Sequence, residues 1–135
     1  MTSTSGPIEP LKGFSDLLGL TITELGPTRV TADWDLSPQV HQPFGILHGG
    51  ASSAVVETLA SLGAYLAVKD QGGRAVGINN NTDFYRAVSS GQLKVVAEPI
   101  FQGRSQQVWQ VEIRDDSGRL VARGSLRLQN LYERH

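Results

Sequence analysis

One carboxylate interrupts the most apolar stretch of this 135-residue chain. Glu57 is the only acid between Gln42 and Lys69. An unpaired ionised carboxylate inside an apolar helix is costly, so it either neutralises or has a task there. Ser53 and Ser61 stand four residues to either side of it, on the same helical face, and make a narrow polar stripe. Such a stripe suits a general base or nucleophile held in a semi-apolar cleft. It equally suits a helix face that reaches solvent at the open edge of a sheet.

The second feature is the helix start, His48-Gly49-Gly50. First-turn N–H groups have no intrahelical partner, and the helix dipole is positive there. Two glycines let a ligand come close to the backbone, which is what an oxyanion needs. Read alone, the triplet is also a helix start that needs conformational freedom, and His48 alone is a structural histidine. His41, His48 and His135 share no metal-ligand spacing, so no metal is expected.

Gly49 and Glu57 are eight residues apart. At about 1.5 Å per residue they are separated by roughly 12 Å along the helix axis. A reacting carbonyl must lie about 3–3.5 Å from its attacker and within hydrogen-bond reach of its oxyanion donors. Two such helices packed antiparallel satisfy both demands, each bringing its Glu57 to the other's Gly49. A hydrolytic site built from these groups belongs at a two-fold dimer interface and occurs twice.

The elements that must position these groups follow from periodicity. Gly49–Val68 predicts a helix of twenty residues, apolar nearly all round and therefore buried, ended by Gly72-Gly73. Glu9–Leu20 carries Leu11, Phe14, Leu17 and Leu18 at helical spacing and predicts a short amphipathic helix. Residues 1–8 read as a flexible terminus. Two strands flank Gly26-Pro27, the second with Val30, Ala32, Trp34 and Leu36 alternating against Thr31, Asp33 and Asp35. Ser37–Leu47 reads as a loop. Ala75–Val88 predicts one long bent strand, followed by a turn at Ser89-Ser90-Gly91. Strands around Leu93–Ala97, Trp109–Ile113 and Leu120–Leu128 complete the set, with a hairpin turn at Asp115–Gly118. The expected class is α+β, one long helix in the concave face of a curved antiparallel sheet of five to six strands. The length suits a single domain.

Composition narrows the function. Net charge is -1, so a nucleic-acid footprint is not expected. Residues 1–70 carry -4 and residues 71–135 carry +3, with eight arginines among the nine basic residues of the second half. That half suits a small anionic ligand such as a nucleotide phosphate, or simply solvated strand faces. The absence of cysteine excludes disulfides and a thiol nucleophile, and fits a cytoplasmic protein. Glu57, Thr58 and Ser61 break the apolar stretch, so no membrane span is expected, and the N-terminus shows no signal-peptide pattern.

Three segments carry a wider resemblance: QPFGILHGGASSAVVETLAS, AVGINNNTDFYRAVSSG and PIFQGRSQQVWQVEIRDDSGRLVARGSLRL. Over roughly Gln42–Leu128 the chain resembles the hotdog-fold acyl-CoA thioesterases. It is most similar to the branch of phenylacetate-pathway (PaaI-like), 1,4-dihydroxy-2-naphthoyl-CoA and glutamate-using 4-hydroxybenzoyl-CoA thioesterases. The resemblance implies dimers, usually paired into tetramers, and no cofactor. It implies that Glu57 attacks the thioester carbonyl or activates water, and that the Gly49 N–H and the Gln42 side chain polarise that carbonyl. His48 would shape the site, and Ser61 matches a Ser or Thr near the nucleophilic water. For the CoA side it matches Arg86, Ser90 and Gly91 in one segment and Gly103, Arg104 and Ser105 in another, and Gly50, Phe84 and Ser89 are further expected substrate-binding residues. Arg86 and Arg104 are the expected phosphate contacts. Asp83-Phe84 replaces the Asn-His usual in naphthoyl-type enzymes, and Ser89 stands where a basic residue is common, which bears on acyl preference and nucleotide contacts.

The expected activity is hydrolysis of an aromatic or medium-length acyl-CoA to the acid and free CoA. Two other readings compete: a hotdog enoyl-CoA hydratase or dehydratase, and a non-catalytic acyl-CoA-binding module. The chain lacks the extended Asp-x-Asn-x-x-His segment of the hydratases.

Overall fold

The structure is a computed structural model that describes residues 4–5 and 11–133. Seven strands and one α-helix form it: β1 (Thr4–Ser5), β2 (Leu20–Gly26), β3 (Arg29–Asp35), α1 (Gly49–Val68), β4 (Gly73–Phe84), β5 (Gln92–Gln102), β6 (Gln106–Arg114) and β7 (Leu120–Tyr132). All pairings are antiparallel, in the order β1-β2-β3-β5-β6-β7-β4. This is the hotdog arrangement, with six full strands around one helix and a two-residue strand added at one edge.

The helix lies where its composition requires. Val55, Val56, Leu59 and Ala60 are fully buried against Trp34, Trp109, Ile113, Leu126 and Leu128 of the sheet. Gly63 makes the closest helix–sheet approach possible: a Cβ there would fall 2.3 Å from Cη2 of Trp109. The opposite face, with Gly50, Glu57 and Tyr65, is exposed, so α1 is covered on one side rather than all round. Beyond Val68 the chain tightens into a 3-10 turn at Lys69–Gln71 and leaves it through Gly72 in the left-handed region.

Three expectations are corrected. The amphipathic helix over Glu9–Leu20 is a six-residue 3-10 helix at Gly13–Leu18, with Glu9 and Pro10 outside the described residues. Its apolar spacing does not commit it to the α form, because only Leu18 of the turn is buried while Phe14 and Leu17 stand exposed. Within the segment read as a flexible terminus, Thr4–Ser5 pairs with Leu25 and Glu24 of β2; residues 1–3 and 6–8 lie outside the described residues. The strand expected to reach Val88 ends at Phe84, after which Tyr85 and Arg86 donate their backbone N–H groups to one carbonyl, that of Val121.

One irregularity in β4 shapes everything placed on it. The register with β7 shifts between Gly77 and Asn79, so Ile78 is an extra residue in the strand. A bulge reverses the side-chain alternation beyond it. Gly73, Ala75 and Gly77 face α1 before the bulge; Asn80, Thr82 and Phe84 face it afterwards.

Candidate active site

Glu57 sits at the middle of the exposed face of α1, above β4. It lines a cavity of about 490 Å³ with Phe14, Ser15, Gly50, Ser53, Ala54, Thr58 and Asn80. Among these lining residues it is the sole ionisable side chain. Asn80 reaches it from the strand: Nδ2 donates to the Ser53 carbonyl at 2.9 Å and approaches Glu57 Oε1 at 3.5 Å. Thr82 Oγ1 donates to Asn80 Oδ1 at 2.7 Å, which fixes the orientation of the amide. Below the carboxylate is Gly77, whose missing Cβ would stand 2.8 Å from Oε2.

The helix N-terminus is a separate recess of about 380 Å³, lined by Gln42, Gly49, Ser52, Phe84 and Arg86 among others. His48 is the N-cap, its Nδ1 accepting from the Gly50 N–H at 2.7 Å. That bond places the ring proton on Nε2. The N–H groups of Ala51 and Ser52 turn back to the His48 carbonyl. Among the described residues no acceptor meets the Gly49 N–H. The Gly50 N–H is therefore already engaged, and the Phe84 ring covers the side of Gly49, 3.1 Å from where a Cβ would be. Gln42 holds its own loop: the Phe44 N–H donates to its Oε1, and its backbone pairs with Ile46 and Gly45. The amide NH2 of Gln42 is then the end with donors to offer.

Glu57 and the Gly49 and Gln42 groups therefore line different cavities of the chain.

Other expected residues divide by place. Ser61 is half-buried one turn beyond Glu57 and lines neither cavity. Arg86 is exposed at the Gly49 recess with no carboxylate partner among the described residues. Ser89 and Ser90 are exposed in the following loop, where the Ser89 carbonyl meets His41 Nε2 at 2.6 Å. Gly103, Arg104 and Ser105 lie at the other end of the molecule. Gly103 and Arg104 line a 610 Å³ cavity with Ala67 and Val68 from the last turn of α1. Their carbonyls accept from Asn130 Nδ2 at 3.1 Å each, and the Ser105 carbonyl accepts from Gln129 Nε2 at 2.9 Å. The structure thus does not bring the two expected CoA segments together within one protomer. His135 lies outside the described residues.

Asn80, Thr82, Gly77 and Phe14 are absent from the expected site. Strict alternation from Ala75 points Asn79, Asn81 and Asp83 at the helix; only the bulge substitutes Asn80 and Thr82, and the run of three asparagines hides the change.

The family model described as the thioesterase superfamily matches residues 44–122. The proofreading thioesterase EntH of Cronobacter sakazakii is 43% identical over 102 residues, covering 76% of this chain and 74% of that protein. The structure of Rv1847 from Mycobacterium tuberculosis superposes with a TM-score of 0.87 at 48% identity, covering 90% of this chain and 98% of that one. The Staphylococcus aureus thioesterase SAV0944 gives a TM-score of 0.79 at 27% identity, covering 84% of this chain and 93% of that one. Its structure has been solved with one glutamine and, separately, one glutamate changed to alanine, at positions fifteen residues apart. Fold, site and similarity together make this chain a member of the thioesterase superfamily, a thioester hydrolase with the hotdog fold.

Proposed function

We propose that the protein is an acyl-CoA thioesterase of the PaaI-like branch, working on aromatic or medium-length acyl groups in the cytoplasm, with a homodimer as its minimal active unit. The observation that carries this reading is the division of labour along α1. Gly49 offers an unpaired N–H at the first residue, and Glu57 offers a carboxylate eight residues on. The fifteen-residue separation of the altered glutamine and glutamate in SAV0944 is also that of Gln42 and Glu57 here, which supports assigning them paired roles.

In this mechanism the substrate carbonyl lies against the Gly49 N–H and the Gln42 NH2 of one protomer. Glu57 of the other protomer attacks the carbonyl carbon directly or takes a proton from the attacking water. Negative charge then builds on the carbonyl oxygen, where the two donors stabilise it more than they did the neutral carbonyl. The C–S bond breaks and the CoA thiolate leaves, taking up a proton. On the water route this gives the acid at once, and Glu57 returns the proton it took. On the direct route it leaves a Glu57–acyl anhydride, which a water molecule hydrolyses to release the acid and restore the carboxylate. His48 fixes the helix start; the resemblance, rather than the cavity lining, assigns Ser61 a place near the attacking water. Arg86 and Arg104 serve the phosphates, Arg104 from the partner's far end. Phe84, Ser89, Ser90 and Gly50 line the path, with Gly103 and Ser105 shaping the Arg104 turn.

The edge of the sheet supports the dimer. Among the described residues β4 pairs on one side only, with β7, and shows Val76 at 40% and Ile78 at 48% exposure. An open apolar edge strand invites antiparallel pairing with its own copy. Such dimers would pair further into the tetramer that the resemblance implies. The acyl class is supported by a cavity of about 580 Å³ lined by Phe14, Leu17, Leu18, Val40, His48 and Ala51 among others. It shares Phe14 and Gly50 with the Glu57 cavity.

The test is CoA release from benzoyl, phenylacetyl, hydroxynaphthoyl and straight-chain esters by wild type, Glu57→Ala and Glu57→Asp. Loss of the general base or nucleophile lowers the rate by about 10²-fold or more. Retention of more than about a tenth of the wild-type rate by the alanine variant would remove Glu57 from this role.

A further inference from the structure

We infer that Asn80 is a positioning residue for the Glu57 carboxylate, held in place by Thr82 and turned toward the helix by the bulge at Ile78. The inference rests on Glu57 being the reacting carboxylate.

Geometry leaves Asn80 one orientation. Its Oδ1 can only accept, and the Thr82 hydroxyl donates to it at 2.7 Å. Its Nδ2 can only donate, and it meets the Ser53 carbonyl at 2.9 Å. Ser53 lies one turn before Glu57, so this bond ties strand β4 to α1 beside the carboxylate. One N–H is then left on Nδ2, and it faces Glu57 Oε1 at 3.5 Å. On its other side the carboxylate rests over Gly77, where Oε2 fills the space a side chain would take. Glu57 is therefore bracketed by a neutral donor and a bare backbone rather than by a cation. This arrangement orients the carboxylate without forming an ion pair that would blunt it as a base or nucleophile. The elements around the cavity, namely α1, the Gly13–Leu18 turn and β4, present no second ionisable group to Glu57 among the lining residues. Asn80 is thus the polar side chain best placed to orient it.

The experiment measures kcat, KM and the pH dependence of kcat/KM on the best ester of the panel above, with thermal melting to confirm folding. Asn80→Leu should lower kcat by about tenfold or more while KM changes little, because orientation of the attacking group is lost and binding is not. Asn80→Asp places a like charge beside Glu57, which disfavours its ionised form and moves the acidic limb of kcat/KM to higher pH. Thr82→Val deletes the hydroxyl at constant shape and should also lower kcat, whereas Thr82→Ser should retain it. A purely structural Thr82 would not separate these two variants. Wild-type kcat in Asn80→Leu together with an unmoved acidic limb in Asn80→Asp would overturn the inference. So would equal kcat in the two Thr82 variants. Each of these outcomes differs from failure of the underlying reading, in which Glu57→Ala itself would remain active.

Discussion

The Glu57 carboxylate lies directly over Gly77, with Oε2 2.8 Å from the point where a Cβ at that position would begin. No real Cβ tolerates such an approach, so a methyl there must push the carboxylate off its place. Gly77→Ala should therefore lower kcat by about tenfold or more with little change in KM, since a small misplacement of a reacting group is costly. Steady-state kinetics with a melting curve checks this. An unchanged kcat would mean that the carboxylate does not act from the position seen here.

Gln42 does two jobs that substitution can separate. Its Oε1 accepts from the Phe44 N–H and so shapes the loop, while its NH2 is free to donate. Gln42→Glu keeps the acceptor and loses the donor, placing negative charge where the oxyanion develops. It should cost at least as much kcat as Gln42→Ala, on the order of 10²-fold. Were the glutamate variant close to wild type, the loop contact alone would explain the residue.

Core packing gives a prediction that does not depend on function. Gly63 accepts the Trp109 indole where a Cβ would overlap it at 2.3 Å. Gly63→Ala overpacks this seam and should destabilise the fold by about 1–3 kcal/mol, read from chemical denaturation. Preserved stability would show that α1 can lift from β6 at no cost.

The β6–β7 turn carries an acid-sensitive anchor. Asp115 Oδ1 accepts from the backbone N–H groups of Arg119 and Ser117, and Oδ2 from Arg119 Nε at 2.8 Å. The Arg119 backbone N–H bond, foremost among these contacts, holds the Asp115 carboxyl below the ordinary carboxylate range. A lowered folded-state value means the stabilisation is present above the unfolded pKa and is lost as pH falls through the folded one. Asp115→Asn should reduce the melting temperature at neutral pH and flatten its decline in acid. A variant with the wild-type acid slope would refute this assignment.

Much of the molecule could be read from residues alone, for identifiable reasons. The Gly49–Val68 helix has the observed bounds because glycines flank a long apolar run, and β3 follows strict alternation. What sequence missed depends on contacts between distant segments. The bulge at Ile78 leaves no local mark, since its cause is the register against β7, and it exchanges Asn79 and Asn81 for Asn80 and Thr82 on the helix side. The Gly13–Leu18 turn shows α-type spacing but offers too little buried surface to enforce an α-helix. Glu57 and the helix start were legible because their residue types are anomalous where they stand. Phe84 over Gly49 was not, because its orientation is set beyond the bulge.

The central claim, that one reaction centre draws its acid and its donors from two chains, has a direct measurement. Glu57→Ala and Gln42→Ala proteins, each inactive, are co-refolded and assayed for CoA release. Random pairing should restore roughly a quarter of wild-type activity, since half the dimers are mixed and each then holds one intact centre. Activity no higher than the sum of the two parents would place both groups on the same chain and contradict the account.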